Sequence, residues 1–383
     1  MNPLFAGQRT SIFEHMSALA RSHDAVNLGQ GFPDFGWPAD VLERAASAVL
    51  TGWNQYPPMR GLPELRDAIA AHYRNEQGVP VEPEQVIVTS GATEALADSL
   101  MALIEPGDEV VLFQPLYDAY LPLVRRAGGV PRFVRLTPPD WRISAAALAA
   151  AFTPRTRLVL FNNPHNPTAR MFDADELRLL ADACVAHDAI ALSDEVWEHV
   201  VFDARRHLPL ASVLGMEERT AKIGSAGKIF SLTGWKVGWV VAPPEMAEAI
   251  AKAHQFVTFS TPPNLQSAVA YGLGKLILEV ERTCDEFEAA RDRLREGLEA
   301  LGFLVLPAEG TYFMNIDLAG SGIAADDVAF CERAVAEAGV AAIPVSAFYA
   351  EDPVTNVVRL CFAKQRETLD AGIDRLGRAR SLF

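Results

Sequence analysis

Short apolar runs alternate with helical patterns through the middle of the chain, which has 383 residues. The apolar runs predict six strands: Val86–Thr89, Glu109–Phe113, Leu158–Asn162, Ala189–Ser193, Ala221–Gly224 and Val237–Ala242. Helical patterns lie between them, for example at Thr93–Ile104 and Asp173–His187. Because strands that alternate with helices usually form a parallel sheet covered on both faces, this pattern predicts an α/β fold with a mostly parallel sheet.

A different pattern follows in the C-terminal part of the chain. Long amphipathic helices are predicted over about Asn264–Leu301, and a further helix over Asp326–Ala338. Strands are predicted at Phe303–Leu306, Tyr312–Asp317 and Val357–Cys361. Such a mixture is typical of an α+β domain. We therefore predict a large domain at 46–280, a small domain at 281–383, and an N-terminal arm at 1–45 that forms part of the small domain.

Composition and charge limit the class of protein. Hydrophobic residues make up 50% of the chain, which is enough for more than one core. The formal net charge is −15 and Lys and Arg form no run, so neither nucleic acid nor an anionic membrane surface is expected as a partner. A site for an anionic ligand must then be a local cluster of positive groups.

The four cysteines are widely separated and form no C-x-x-C pair, which disfavours a zinc site or a redox dithiol. They are expected to be buried free thiols in a reducing compartment. The N-terminal residues lack a signal-peptide pattern, and no apolar run reaches the ~18 residues that a membrane span needs. We therefore expect a cytoplasmic protein without a metal.

One lysine is placed unusually for a solvated cation. The segment Ser225–Trp239 reads S-A-G-K-I-F-S-L-T-G-W-K-V-G-W, so Lys228 comes at the end of an apolar strand, directly after two small residues. A lysine among apolar neighbours has a lowered pKa, and its neutral amine can condense with an aldehyde. Taken alone, such a lysine is more often a surface residue whose amine reaches solvent.

Two polar segments follow other predicted strands, at the carboxyl ends where open α/β sheets bind ligands. Asp194 lies in S-D-E-V, and a buried carboxylate there needs a partner such as a protonated pyridine nitrogen; the alternative is a helix cap. The segment N-N-P-H-N-P-T at Asn162–Thr168 contains two Asn-Pro pairs, which fix an extended backbone. An Asn side chain on such a loop can donate to a phenolate oxygen or a carboxylate.

Two further segments suit anions. T-S-G-A-T-E-A at Thr89–Ala95 is a strand-to-helix turn whose small residues let backbone N–H groups approach a phosphate, and Ser225 and Lys236 are candidates for further phosphate contacts. Arg359 lies inside the apolar run V-R-L-C-F, where a guanidinium is costly unless it meets an anion such as a carboxylate. An internal salt bridge is the competing explanation.

Together these motifs resemble class I/II aminotransferases of pyridoxal-5'-phosphate (PLP) fold type I, nearest the kynurenine/glutamine and methionine aminotransferase branch. The segments N-L-G-Q-G-F-P-D-F at Asn27–Phe35 and N-Q-Y-P-P-M-R-G at Asn54–Gly61 add to the likeness. The motifs run in the family's order over nearly the whole chain. The resemblance implies PLP as cofactor, a large domain with a mostly parallel seven-stranded sheet between helices, a smaller α+β domain, and a homodimer with an active site shared between subunits.

The resemblance also implies roles for particular residues. Lys228 is expected to carry the cofactor and to move a proton between the substrate Cα and the cofactor, while Asp194 pairs with the ring nitrogen and Tyr117 stacks on the ring. Other expected cofactor contacts are Gly91, Ala92, Thr93, Ser225 and Lys236 near the phosphate, Tyr56 at the phosphate of the neighbouring subunit, and Asn166 and Trp197 at the ring. Arg359, Asn166 and the backbone of Gly31 are expected to bind the substrate carboxylate.

The chain departs from the family pattern at three positions. Trp197 stands where many relatives have a Tyr that donates to the ring oxygen, so we expect a weaker hold on that oxygen. Ala169 stands where relatives often have Gly, which affects only the local turn. Lys236 stands where much of the class has Arg, so its phosphate contact is expected to be a point charge rather than a fork.

The expected reaction transfers the amino group of an L-amino acid of glutamine, methionine or aromatic type to a 2-oxo acid, with ping-pong kinetics. β-Elimination from cysteine conjugates remains an alternative, because the same cofactor and lysine serve both reactions. A cofactor-binding regulator would need a DNA-binding segment, and a nicotinamide dehydrogenase would need a G-x-G-x-x-G motif after an early strand, so both are disfavoured. Candidates for the side-chain pocket are Trp37, Phe32, Phe259 and Tyr117.

Overall fold

The structure is a computed structural model that describes Ala6 and residues 10–383, without the side chains of residues 276–279 and 281. Residues 1–5 and 7–9 of the expected N-terminal arm lie outside the described part. The strands are β1 (Val26–Asn27), β2 (Val86–Thr89), β3 (Glu109–Gln114), β4 (Val130–Arg135), β5 (Thr156–Asn162), β6 (Ile190–Asp194), β7 (Thr220–Ser225), β8 (Gly238–Val241), β9 (Leu304–Val305), β10 (Phe313–Asp317), β11 (Val340–Ala341), β12 (Ile343–Pro344) and β13 (Val357–Cys361).

The α-helices of the described part are α1 (Ile12–Ser22), α2 (Ala39–Thr51), α3 (Pro63–Gln77), α4 (Ala92–Leu103), α5 (Tyr120–Arg126), α6 (Ala145–Ala151), α7 (Ala174–His187), α8 (Ala226–Ile229), α9 (Pro244–Val257), α10 (Pro263–Leu273), α11 (Leu276–Ala300), α12 (Asp327–Arg333) and α13 (Arg366–Arg380). Among these helices, none combines the length and the apolar character that a membrane crossing requires.

The large sheet has seven strands in the order β2-β8-β7-β6-β5-β3-β4. Only β8 runs against its neighbours, β2 and β7, and every other pairing in this sheet is parallel. The prediction of a mostly parallel seven-stranded sheet is therefore confirmed. The six strands predicted from apolar runs are all present, with ends that differ by at most two residues.

The strand that the apolar pattern did not predict is β4, at the edge of the sheet. Its sequence, V-P-R-F-V-R, is mostly half-buried or exposed, and only Val134 is fully buried. An edge strand pairs on one side only, so it tolerates proline and charged side chains. For this reason β4 has no continuous apolar run that could mark it in the sequence.

Both faces of the large sheet are covered, as the alternation of side chains along β5 shows. Leu158 and Leu160 belong to one apolar cluster, which also contains residues of α4 and α9. Val159 and Phe161 belong to a second cluster on the other face, with residues of α6 and α7. Because successive side chains of a strand point to opposite faces, each strand contributes to two cores.

The C-terminal part forms a second, antiparallel sheet in the order β12-β13-β10-β9. The N-terminal segment reaches this part, because β1 pairs in parallel with β11 and the Leu28 carbonyl accepts a hydrogen bond of 2.7 Å from the Cys361 N–H. The domain limits at residues 45 and 280 remain a prediction. All four cysteines are free, and three of them are buried.

The carboxyl ends of the parallel strands meet at one edge of the large sheet. Asn162 ends β5, Asp194 ends β6, and Ser225 ends β7 directly before the short helix that carries Lys228. In an open α/β sheet this edge is where ligands bind. The fold therefore brings the segments that carry the sequence motifs to one place.

The packing of the large sheet predicts a position that tolerates no side chain. A Cβ atom on Gly224, in β7, would contact the indole of Trp239 and would lie 2.6 Å from the Tyr73 hydroxyl. We expect Gly224→Ala to reduce the free energy of unfolding by at least about 2 kcal/mol, because overpacking a rigid core has this cost. Gly274→Ala is the matched control, since a Cβ there meets nothing closer than 3.5 Å. Urea unfolding curves that shift equally for both variants would contradict this prediction.

Candidate active site

A cavity of about 330 Å³ lies at the carboxyl edge of the large sheet. Its walls come from both sheets, from the N-terminal segment and from the turn before α4. Among its lining residues are Gly31, Gly91, Ala92, Thr93, Tyr117, Asn166, Asp194, Trp197, Ser225, Lys228, Lys236 and Arg359. The structure thus brings together every predicted site residue except Tyr56.

Lys228 extends from α8, immediately after the end of β7. Its Nζ atom donates a hydrogen bond of 2.7 Å to the Tyr312 hydroxyl and lies 4.4 Å from the centre of the Trp197 ring. Burial disfavours the charged ammonium and lowers the pKa of Lys228 to about 8. A substantial fraction of this amine is therefore neutral near physiological pH, which is the form that acts as a nucleophile or a base.

Asp194 supplies a buried carboxylate to the same cavity. Its Oδ2 atom accepts a hydrogen bond of 2.6 Å from the Tyr120 hydroxyl, and the Val196 N–H approaches Oδ1 at 3.3 Å. Burial raises the pKa of Asp194 to about 6, although the Tyr120 bond and the charge of Lys228 act in the opposite direction. A cation placed next to this carboxylate would restore its ordinary acidity, so the site favours a positively charged partner.

Arg359 is fully buried on β13 and faces the cavity. Its guanidinium donates to Asn166 Oδ1 at 2.8 Å and to the Gly29 carbonyl at 3.2 Å, and its carbon lies 3.8 Å from the centre of the Phe313 ring. The Nε–H has no hydrogen-bond partner among the described residues. Burial lowers the pKa of Arg359 to about 10, which leaves it charged and in need of an anion.

The Asn-Pro loop fixes the side chain that Arg359 contacts. Asn162 accepts a hydrogen bond of 2.8 Å from the Asn166 N–H, and its amide donates to the Asp194 carbonyl at 2.8 Å. These bonds tie the end of β5 to the end of β6. Asn166 is consequently held between Asp194 on one side of the cavity and Arg359 on the other.

A turn with exposed backbone donors lies at another wall. Gly91 has φ +80°, and α4 starts after it, so the Ala92 and Thr93 N–H groups precede the first intrahelical bond, from the Ala95 N–H to the Gly91 carbonyl. A Cβ on Gly91 would lie 3.2 Å from Lys236 Nζ, so the ammonium sits directly against this turn. Helix N-terminal donors next to a cation are a recurrent anion site.

Tyr117 lies half-buried beside Asp194, Thr93 and the edge of the Tyr120 ring, whose centre is 5.5 Å away. Burial raises the pKa of Tyr117 to about 12, so its phenol stays protonated. Two aromatic residues suggested for the side-chain pocket, Trp37 and Phe259, are 55% and 40% exposed and do not line the cavity. Phe32 does line it, and so does Phe13, which the sequence did not single out.

Tyr56 is 82% exposed and packs edge-on against Phe259, outside the cavity of its own chain.

Two tyrosines near the reactive groups were missed by sequence reasoning. Tyr312 accepts from Lys228 and donates 2.6 Å to the Gly31 carbonyl, and Tyr120 donates to Asp194. Both are fully buried phenols, and a buried phenol usually needs a hydrogen-bond partner. The sequence gives only weak signals for these two residues. Tyr312 is the first residue of a predicted strand, and Tyr120 follows Tyr117 at helical spacing.

The match to a known family covers both sheets and all lining residues of the cavity except Phe13. Residues 23–376 match the model of aminotransferase class I and II. The chain belongs to this family.

Two of the most similar relatives and one similar solved structure carry aminotransferase names. The chain is 44% identical over 379 residues to a probable N-succinyldiaminopimelate aminotransferase DapC of Mycobacterium tuberculosis, covering 96% of this chain and 95% of that protein. It is 41% identical over 368 residues to the methionine aminotransferase of Escherichia coli, with 96% and 95% covered. The solved structure of the M. tuberculosis N-succinyldiaminopimelate aminotransferase superposes with a TM-score of 0.96 at 43% identity, covering 99% of this chain and all of that one.

The protein is thus an aminotransferase of PLP fold type I that acts on amino acids and 2-oxo acids with PLP as cofactor. The residues present fit that group. Three groups surround one cavity. They are an amine that can be neutral, a buried carboxylate without a cationic hydrogen-bond partner, and a turn of free N–H groups beside Lys236. These match the aldehyde, the pyridine nitrogen and the phosphate of PLP in chemical kind.

The buried carboxylate predicts a pH-dependent cost to stability in the cofactor-free protein. The pKa of Asp194 is raised from 3.8 to about 6, so ionising it in the folded state costs about 3 kcal/mol. We expect Asp194→Asn to be more stable than the parent at pH 7.5 by up to that amount, and the advantage to fade as the pH falls through about 6 towards 4. Urea unfolding at several pH values measures this.

Asp182→Asn serves as the control, because Asp182 is exposed on α7. If the parent protein were more stable than Asp194→Asn at every pH, burial of the ionised carboxylate would not reduce the free energy of unfolding, and the prediction would be wrong.

Proposed function

We propose that this aminotransferase takes the amino group from an L-amino acid of glutamine, methionine or aromatic type and that the cavity around Lys228 is its active site. The observation that carries this proposal is the meeting of Lys228, Asp194 and Arg359 at one cavity, although they lie far apart in the sequence. Asp194 and Arg359 are buried and Lys228 is partly buried, and each lacks part of the partner that its chemistry requires.

In this proposal the cofactor phosphate lies at the start of α4. The N–H groups of Ala92 and Thr93 face it, the Gly91 backbone borders it without a free N–H because that group donates to the Thr89 carbonyl, and Lys236 supplies the neutralising charge. Ser225 lines the same wall from the end of β7. Asp194 then faces the ring nitrogen, Tyr117 stacks against the ring, and Asn166 and Trp197 border the ring oxygen. The support for this arrangement is the position of these side chains around one cavity and the chemistry of each.

When bound, PLP supplies an aldehyde that takes up the amine of the substrate and a ring that accepts electron density from the substrate Cα. Lys228 acts as the base for the Cα proton, because its lowered pKa of about 8 makes the neutral amine available. Asp194 keeps a proton on the ring nitrogen by its negative charge. Tyr312 holds Lys228 Nζ at 2.7 Å and so sets the direction from which this base works.

The substrate carboxylate pairs with Arg359 in this scheme. The guanidinium already has two hydrogen bonds within the protein, while its Nε–H remains free among the described residues. A carboxylate that displaces the weaker bond, of 3.2 Å to the Gly29 carbonyl, would gain a forked contact. Asn166 and the backbone at Gly31 lie beside it.

The remaining walls favour an uncharged or aromatic side chain. Phe13, Phe32 and Phe313 line the cavity. The cations among the described lining residues are Lys228, Lys236 and Arg359, and each already has a role. A second acidic group on the substrate would therefore lack a partner. The relative named a methionine aminotransferase agrees with a substrate of this kind.

The test is a panel of amino donors assayed with several 2-oxo acid acceptors. We expect glutamine, methionine and aromatic amino acids to exceed aspartate. Lys228→Ala should lose at least about a hundredfold in turnover, the usual contribution of a general base. Lys252→Ala, an exposed lysine on α9, is the control and should keep the parent rate. Full activity of Lys228→Ala would refute the proposal, and a 2-oxo product from cysteine conjugates without an aminated acceptor would favour β-elimination.

We also infer a homodimer in which Tyr56 reaches the active site of the neighbouring subunit. Leu50, Trp53, Tyr56 and Phe256 are each at least 79% exposed, which is unusual for large hydrophobic side chains. Exposed apolar groups of this size mark interaction surfaces in soluble proteins. Free cysteines support a reducing compartment, and we infer a cytoplasmic location.

Mixing two inactive or weakened variants tests the shared site. In a hybrid of Lys228→Ala and Tyr56→Ala subunits, one site has an intact Lys228 and receives the intact Tyr56 of the other subunit. We expect the hybrid to regain parental PLP affinity at that site, whereas Tyr56→Ala alone should bind PLP about tenfold more weakly for the loss of one charged hydrogen bond. Absence of recovery in the hybrid would show that Tyr56 acts on its own chain or not at all.

A further inference from the structure

His254 lies on α9 with no exposed surface, outside the cavity. Its Nδ1 atom is 3.1 Å from Glu94 Oε1 and 3.3 Å from Asp98 Oδ2. Its Nε2 atom is 3.1 Å from the carbonyl oxygen of Met59. Both ring nitrogens therefore face oxygen atoms, and these oxygens belong to two separate parts of the chain.

The contacts fix the protonation state of this ring. A carbonyl oxygen only accepts hydrogen bonds, so Nε2 must carry a proton to bond Met59. The pKa of Glu94 is lowered, so Glu94 is an ionised carboxylate that only accepts, and Nδ1 carries a proton to bond it. A ring that donates from both nitrogens is an imidazolium, and a buried imidazolium is stable only beside negative charge.

Glu94 meets this condition. Burial alone raises the pKa of Glu94, but hydrogen bonds from His254, Thr258 and the Ser90 N–H together lower it below its ordinary value. Burial likewise lowers the pKa of His254, yet the bonds and charges of Asp98 and Glu94 outweigh it and raise the pKa of His254 to about 9. The geometry and the charge balance thus agree on a cation at neutral pH.

The other oxygen of Glu94 connects this pair to the turn before α4. Its Oε2 accepts a hydrogen bond from the Ser90 N–H. Gly91 occupies the N-cap position and has no side chain with which to cap the helix, so Glu94 supplies the side-chain contact that holds the turn. The Ala92 and Thr93 N–H groups remain free to meet a phosphate.

The Met59 contact connects the same ring to the segment that carries Tyr56. Met59 follows Tyr56 by three residues, and the next residue, Arg60, accepts a hydrogen bond of 3.0 Å from the Val88 N–H in β2. One buried ring is therefore bonded to both segments that, under the proposed function, contact a phosphate: the turn of its own site and the arm that reaches the neighbouring site.

We propose that His254 is a positioning residue whose imidazolium form holds the phosphate-binding turn and the Tyr56 segment in register through Glu94 and Met59. This inference rests on the proposed function, because it takes the turn at Gly91 to be the phosphate site. His254 does not contact the cofactor. Its effect passes through Glu94 to the Ser90 N–H on one side and through the Met59 carbonyl on the other.

The first experiment measures the protonation state directly. In protein labelled with ¹⁵N-histidine, the His254 ring should show two protonated nitrogens at pH 7.5 and titrate near pH 9, and the signal should vanish in His254→Gln. Because the histidine pKa is raised by folding, the contribution of the charge is complete below about 6.5 and is lost as the pH rises through about 9. The groups that face the ring are Glu94 and Asp98 on α4, and the Met59 carbonyl. A neutral ring at pH 7.5 overturns the proposal.

The second experiment compares PLP with pyridoxal, which lacks the phosphate. His254→Gln should bind PLP about tenfold more weakly, for the loss of one charged hydrogen-bond network, while its affinity for pyridoxal stays that of the parent. Lys252→Gln, on the exposed side of the same helix, should bind both as the parent does. Equal losses for the two ligands, or no loss for either, would refute a role at the phosphate turn.

Glu94→Gln keeps the proposal testable if His254→Gln does not fold. A glutamine oxygen can still accept the Ser90 N–H, but it carries no charge. We expect the His254 titration to move to lower pH, together with a selective loss of PLP affinity. An unchanged titration would contradict the pairing. These spectra and affinities need no substrate, so they are independent of the assay of Lys228→Ala that tests the proposed function.

Discussion

The arrangement of this protein depends on one electrostatic constraint: a partly buried amine and a buried carboxylate lie at the ends of adjacent parallel strands. Asp194 ends β6, and Lys228 follows the end of β7, its neighbour in the sheet. They do not form a direct ion pair with each other, since Asp194 takes its bond from Tyr120 and Lys228 gives its bond to Tyr312. Each group is therefore kept in a costly state that a ligand can relieve.

The same strands carry compensated charges on the opposite face of the sheet. Glu195, next to Asp194, turns away from the cavity and meets Lys222 at 2.9 Å and His207 at 2.7 Å, while Lys222 also meets Glu198 at 2.7 Å. In this network each carboxylate of Glu195 and Glu198 is paired with a cation or a ring nitrogen, so the network has no charge left over for a ligand. Successive side chains of β6 and β7 point to opposite faces of the sheet. The paired charges therefore lie on one face, and the cavity charges without an ionic partner lie on the other.

The sequence predicted much of the fold because most strands of the large sheet are buried on both faces. Such strands are continuous apolar runs, as in Val86–Thr89 and Leu158–Asn162, whereas the half-exposed edge strand β4 has no such run. The side chains at the cavity could be predicted where a local motif marked them, as for Asp194 and Arg359. Tyr312 and His254 could not, because their partners lie 84 and 160 residues away in the sequence and only the fold brings them together.

Trp197 shows how such a partner shapes the site. Its indole meets Tyr312 edge-on with ring centres 4.4 Å apart. Lys228 Nζ lies 4.4 Å from the Trp197 ring centre and donates to the Tyr312 hydroxyl. Trp197 therefore contributes a π face to the lysine, while the hydroxyl comes from Tyr312, directly before β10 of the other sheet. Because Tyr312 also donates to the Gly31 carbonyl, the position of the Lys228 amine is coupled to the N-terminal segment that lines the cavity.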